Sequence, residues 1–135
     1  MNMDFNWIEY LTLARFIEEQ RMSGKNQSLK DNTLINNEAM ARCITSRSYY
    51  AAFCYARNYA ISRLGFVPSL PKDRHKDHER VREHFRNNNM PDIENQLRHL
   101  SLWRNKCDYD NHVQNIHLFP AGAIVTAQQV INSLS

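Results

Sequence analysis

The chain has 135 residues with an apolar share of 42%, which suits one domain, residues 1–135, with a sizeable core. Its net charge of +3 is mildly basic and compatible with phosphate-bearing partners. No run reaches the roughly 18 apolar residues of a membrane span, the start MNMDFNWIEY lacks the basic region and apolar run of a signal peptide, and the three cysteines show no CxxC spacing. Reduced thiols in the cytoplasm are the simplest reading.

In chain order, Asp4 is placed to cap a first helix running to about Met22, with Ile8, Leu11, Ala14 or Arg15, and Glu18 along one side. Ser23 to Thr33 (SGKNQSLKDNT) is polar and turn-rich and reads as a loop. Asn37 to Leu64 then holds no Gly or Pro, starts at an asparagine suited to a cap (Asn36 or Asn37) and stops at Gly65, which suits the C′ position. At 100° per residue, Met40, Ile44, Arg47, Ala51, Cys54 and Asn58 share a stripe. Apolar side chains ring much of this segment, so it is expected to be a central helix, and Arg47 in its stripe needs a partner.

The prolines of GFVPSLP (Gly65 to Pro71) mark a connector. A third helix is expected from about Lys76 to Arg86, with Val81, Phe85 and His78 on its narrow apolar side and mixed charges elsewhere. Those charges suit either a solvated, ion-paired face or a phosphate-contacting one. Pro91 suits N1 of a fourth helix that continues to about Asp110, and Phe119 to Leu134 gives a last one with Ile124, Val130, Ile131 and Leu134 as core residues. No strand-like alternation stands out, so the fold class is all-α, an antiparallel bundle of about five helices.

In the fourth helix Ile93, Leu97, Leu100, Arg104 and Cys107 lie close to one direction, so a second arginine occupies an apolar stripe, four residues before Asp108. Arg47 and Arg104 are expected to turn toward a shared acidic and phenolic cluster with Tyr50, Asp108, Tyr109 and a helix-borne histidine. Two readings follow: a pocket in which the guanidinium forks hold an anion, or a structural ion pair to Asp108 that ties the helices together. His75 and His78 have HxxH spacing, but zinc needs two further ligands, so no metal and no cofactor is expected. No glycine-rich phosphate loop or nucleophilic cysteine is evident.

SRSYYAAFCYARNY (Ser46 to Tyr59) resembles the SRxYYAxFxxAR signature of bacterial HEPN-domain proteins, and LRHLSLWRNKCDYD (Leu97 to Asp110) resembles their later LxxLxxxRNxADYD segment. His78, with His75 as an alternative, resembles the histidine opening the intervening helix; order and spacing agree over about Ala39 to Asp110, roughly half the chain. The resemblance implies a cytoplasmic, antiparallel HEPN bundle, often dimeric across the arginine-bearing face. It also implies a role in toxin–antitoxin or anti-phage systems, with a nucleotidyltransferase or other antitoxin as partner.

Active ribonucleases of that superfamily carry R-x4-6-H and cleave RNA without metal across a dimer interface. Here Arg104 is followed by Tyr, Asp and Asn at positions 109, 110 and 111, and His112 comes one position too late. On a continuing helix His112 points about 80° away from Arg104. A phenol, with a reference pKa near 10, is a poor replacement for an imidazole near 6.5. The expectation is therefore a module binding a nucleotide or RNA phosphate through Arg47, Tyr50, His78, Arg104 and Asp108. The alternatives are a ribonuclease toxin using Arg104, Tyr109 and His112, or His78, and a non-catalytic structural subunit.

Overall fold

The computed structural model describes residues 4–23 and 37–135. Among them are five α-helices and no strand: α1 (Ile8–Ser23), α2 (Asn37–Arg63), α3 (Asp77–Asn87), α4 (Pro91–Tyr109) and α5 (Phe119–Ser133). Short 3-10 turns at Pro71–Lys76 and Ile116–Leu118 lead into α3 and α5. The all-α bundle expected from the sequence is present. No helix of the described residues is long and apolar enough to cross a membrane.

The central position of α2 follows from its side chains. Ala41, Ala51, Ala52, Ala56 and Ala60 are wholly buried, and their small volume lets neighbouring helices approach from several directions. Tyr49 and Phe53 fill the larger gaps, and α2 packs against each of the other four helices. Around it, α1 touches α5, α5 touches α4 and α4 touches α3. Gly65 ends the helix at φ +70°, the left-handed region that a glycine enters without strain. The Phe66 amide then reaches back to the Ala60 carbonyl at 3.0 Å, and His84 Nε2 donates to the Leu64 carbonyl at 2.6 Å.

The predicted core of α3, α4 and α5 is in place. Val81, Phe85, Leu97, Leu100 and Val130 are fully enclosed, and Ile93, Cys107, Ile124, Ile131 and Leu134 nearly so. The first helix differs from its reading. It starts at Ile8, where Asn6 Oδ1 accepts the Ile8 amide at 3.2 Å, so the cap is Asn6 and not Asp4. The rings of Phe5 and Trp7, ahead of the helix, pack against each other and against Tyr10 in its first turn. Its buried side is Leu11, Ala14 and Arg21. Arg21 is satisfied by Glu18 at 2.6 Å and Asn37 Oδ1 at 3.1 Å, while Ile8 stays partly exposed. Of the predicted loop, only Ser23 is described, as the last residue of α1; its remainder and Asn36 lie outside the described residues.

Helix α3 turns into α4 in three residues, 88 to 90. Asn89 takes φ +61°, its amide reaches the Arg86 carbonyl at 3.3 Å, and the Met90 amide reaches Phe85 at 2.9 Å. That is a Schellman ending with asparagine supplying the left-handed residue. Pro91 follows as the first residue of α4, as predicted. The tight hairpin sets α4 beside α3 and leaves a cleft between them.

Candidate functional site

Near its end, α4 projects a guanidinium that is held on several sides. Arg104 Nε donates to Asp108 Oδ2 at 2.7 Å, Nη1 to Asn105 Oδ1 at 3.0 Å, and Nη2 to the Tyr50 hydroxyl at 2.6 Å and the Tyr109 hydroxyl at 3.4 Å. The Asp108 pair is the intrahelical i, i+4 kind, and Tyr50 brings in α2. Burial works against the charge, but Tyr50, Asp108 and Tyr109 outweigh it, so Arg104 is held protonated more firmly than an ordinary arginine. Tyr50 is pushed up by burial, aided by Asp108 and Tyr109 and opposed by Arg104 and Arg47, so it stays a neutral phenol.

Arg47 stands behind this cluster. Its guanidinium lies 4.9 Å from the centre of the Tyr10 ring and 5.5 Å from that of Tyr50, and Nη2 donates to Ser46 Oγ at 3.3 Å. Ser46 in turn donates to Asp108 at 3.4 Å. The two arginines therefore do meet at Tyr50 and are linked through Ser46 and Asp108. The carboxylate pairs directly with Arg104, and Arg47 is balanced by ring faces instead.

His78 opens the other wall. Its ring stacks on Phe53 at 4.3 Å between centroids, and its Nδ1 shares a hydrogen bond with the buried Tyr49 hydroxyl. Burial, reinforced by the positive charges of Arg104 and Arg82, pushes its pKa down to about 4. The imidazole is neutral at physiological pH.

Between these walls lies an open cleft of about 890 Å³. Tyr50, His78, Arg104 and Tyr109 of the predicted set line it; Arg47 and Asp108 sit outside the lining as supports. Tyr109 is 70% exposed. His112 is not brought to the site: α4 ends at Tyr109, Asp110 turns to an extended backbone, and His112 is an exposed residue beyond it. The helix does not continue to carry this histidine round, so its place in the predicted catalytic set is withdrawn. His75, the alternative histidine, does line the cleft, with Lys76, Arg80, Arg82, Ser101 and Asn105.

Two contributors went unread in the sequence. Arg82 lies four residues after His78, on the same side of α3, and that spacing was the available signal. It makes no hydrogen bond or ion pair among the described residues, nor do its neighbours Glu79 and Glu83 on the cleft wall. Arg42 is the second. From α2 it donates to the carbonyls of Cys107 and Asp110, both at 2.8 Å, and to Glu38 at 3.1 Å. It thereby satisfies the end of α4 and fixes the turn that presents Asp108 and Tyr109. No local pattern announces a contact 65 residues away in the chain.

Two of the thiols are buried and unreactive: burial pushes Cys54 up to about 11 and raises Cys107 as well. Compared with protein-family models, curated proteins and solved structures, the chain matches none.

Proposed function

We propose that the α3–α4 cleft binds a phosphate group of RNA or of a nucleotide, and that the protein is a HEPN-type regulatory or defence-associated module. The observation that carries this reading is the pairing of a locked Arg104 with an unpartnered Arg82 in one open cleft. Lys76, Arg80, Arg82 and Arg104 line it together with Glu79 and Glu83; the first two and Arg104 are paired with Asp73, Asp77 and Asp108, so Arg82 is the cation of the lining left to a ligand. Guanidinium forks match phosphate oxygens, and Tyr50, Tyr109, Ser101 and Asn105 add hydrogen-bonding groups.

Binding is favoured over cleavage by one magnitude. With a pKa of about 4, His78 is protonated in only about one molecule in a thousand at pH 7, too few for a general acid matched to neutral conditions. Tyr109 occupies the first position at which an R-x4-6-H motif would place its histidine.

The reading extends to a cytoplasmic homodimer that pairs with an antitoxin such as a nucleotidyltransferase. Leu102 and Tyr109, seven residues apart on α4, are 52% and 70% exposed and leave part of that helix face open for such contacts.

Fluorescence anisotropy with labelled RNA and with a nucleotide, at two salt concentrations, tests the proposal. Arg104→Ala and Arg82→Ala are each expected to weaken binding about 10- to 100-fold. Arg82→Ala is also expected to flatten the salt dependence by about one phosphate contact. Undiminished affinity in both variants overturns the site. Arginine-dependent cleavage of the same RNA in EDTA would instead identify a ribonuclease.

A further inference from the structure

His78 makes one hydrogen bond and leaves one ring nitrogen open. The Tyr49 phenol is completely buried, and its hydrogen-bond partner among the described residues is His78 Nδ1. The Ser101 hydroxyl lies near enough to oppose slightly the rise in the phenol's pKa, without a hydrogen bond to it among the described residues. On the other side of the imidazole, Nε2 has no partner among the described residues. Nor is it enclosed, for the buried side-chain atoms left without a partner are Ser48 Oγ and Gln96 Oε1. Because His78 lines the cleft, Nε2 opens into it.

The direction of the Tyr49–His78 bond decides what the cleft sees. A neutral imidazole carries one proton, on either Nδ1 or Nε2. If Nδ1 carried it, the phenol oxygen would accept, and the phenol's own proton would be enclosed with only the weakly placed Ser101 oxygen to receive it. A buried donor without a good acceptor is costly, whereas a phenol donating to a bare Nδ1 satisfies both groups. Burial also raises the Tyr49 pKa, which keeps that proton on the phenol.

We infer that Tyr49 is a positioning residue that fixes His78 as the Nε2–H tautomer, so that the cleft presents a neutral, oriented hydrogen-bond donor beside the Arg82 and Arg104 guanidinium groups. The stacking of the imidazole on Phe53 holds the ring plane while Tyr49 sets its proton. The charged groups that act on it most are Arg104 from α4, Arg57 from α2, and Arg82 and Asp77 from α3, with Glu79 and Glu83 of α3 on the same cleft wall. Arg104 and Arg82 act on the partly buried ring more strongly than Asp77 and oppose a further positive charge there. Such a donor suits an ionised phosphate oxygen, which accepts a hydrogen bond and needs no proton. The use of this donor by phosphate rests on the function proposed above, whereas the tautomer stands on the fold alone.

Two-bond ¹H–¹⁵N spectra of the histidine-labelled full chain test it. In the wild type, His78 is expected as a single Nε2–H tautomer from about pH 8 down to about pH 5.5. Tyr49→Phe, which keeps the ring volume, is expected to yield averaged tautomers and to weaken phosphate-dependent RNA binding about 3- to 10-fold. Ser101→Ala is expected to leave the tautomer unchanged. An Nδ1–H tautomer in the wild type, loss of the Nε2–H form in Ser101→Ala, or an unchanged spectrum in Tyr49→Phe overturns the assignment. An Nε2–H tautomer in a protein that binds neither RNA nor nucleotide supports the positioning role and overturns the proposed function alone.

Discussion

Two arginines that line the cleft, Arg80 and Arg104, are each held by an aspartate behind it, to different ends. In the first cluster, Asp77 at the start of α3 is 2% exposed and surrounded by donors. Its carboxylate accepts the Ser69 amide at 3.0 Å, the Ser69 hydroxyl at 2.6 Å and Arg80 Nη1 at 2.6 Å. Arg80 continues to the Val67 carbonyl at 3.1 Å, and Arg74 reaches the Ser69 carbonyl at 2.7 Å. Burial alone would raise the Asp77 pKa, but the Ser69 and Arg80 hydrogen bonds win and hold it below the usual carboxylate range. In the second cluster, Asp108 engages Arg104 and Ser46 through Oδ2 alone, and its side chain is 25% exposed. The first cluster closes on itself and pins the GFVPSLP connector to α3. The second leaves hydrogen-bonding capacity at the edge of an open cleft. An arginine–carboxylate pair therefore says little until its remaining lone pairs are accounted for.

The largest expected effect breaks the closed cluster. Asp77→Ala strands the Ser69 amide and hydroxyl and releases Arg80, at a cost of about 2–4 kcal/mol in a urea denaturation experiment. RNA affinity of the folded fraction is not expected to fall, because Asp77 lies outside the cleft lining and its loss leaves Arg80, which is part of that lining, without this carboxylate. If Asp77→Ala and Arg104→Ala lowered stability equally and binding equally, the distinction between the clusters would collapse.

Next in size is a pH effect centred on His78. Its folded-state pKa of about 4 lies below the ordinary 6.5, so an unfolded chain takes up a proton that the folded chain refuses in the window between them. Stability is thus expected to be unaffected by this group above about pH 7 and to fall as pH drops through that window. The ring is only partly enclosed, which limits the effect to about 1–2 kcal/mol. Thermal unfolding of wild type and His78→Gln, compared from pH 7 to pH 4.5, isolates it. The wild type should lose more stability than the variant over that range. Parallel curves would mean that His78 titrates normally in the folded protein.

The fold was largely legible because its signals are local and repeated. An uninterrupted α2 ending in Gly65, Pro91 opening α4, and the Val81–Phe85 and Leu97–Leu100 spacings each fix an element independently of the others. Part of the site was legible for the same reason: Arg104 sits in an apolar stripe, and such a position demands partners on adjacent helices. What escaped depended on the path of the chain beyond a helix end or on distant contacts. The placement of His112 turned on α4 stopping at Tyr109, which Arg42 secures from another helix. The identity of the His78 partner turned on which of two adjacent tyrosines faces inward. Tyr49 is enclosed and meets the imidazole, while Tyr50 reaches Arg104. Helical spacing alone separates that pair by about 100° without saying which neighbour lies in either direction.

The smallest effect is the most discriminating, because its sign is at stake. Asparagine in place of Asp108 retains an oxygen that can accept from Arg104 Nε but removes the negative charge 2.7 Å from it. If Arg104 contacts a phosphate, that charge is a standing repulsion on the ligand, screened by the partly exposed surroundings. Removing it is expected to tighten RNA binding about two- to fivefold at low salt, with the gain shrinking as salt rises. The stability cost should be about 1 kcal/mol, because the pair is only partly exposed but the asparagine oxygen can still accept a hydrogen bond. A purely architectural Asp108–Arg104 pair predicts the loss of stability without the gain in affinity. Weakening of binding as severe as that of Arg104→Ala would show that the guanidinium needs the full carboxylate charge to keep its orientation. The open cluster would then be as dependent on its internal bonds as the closed one around Asp77.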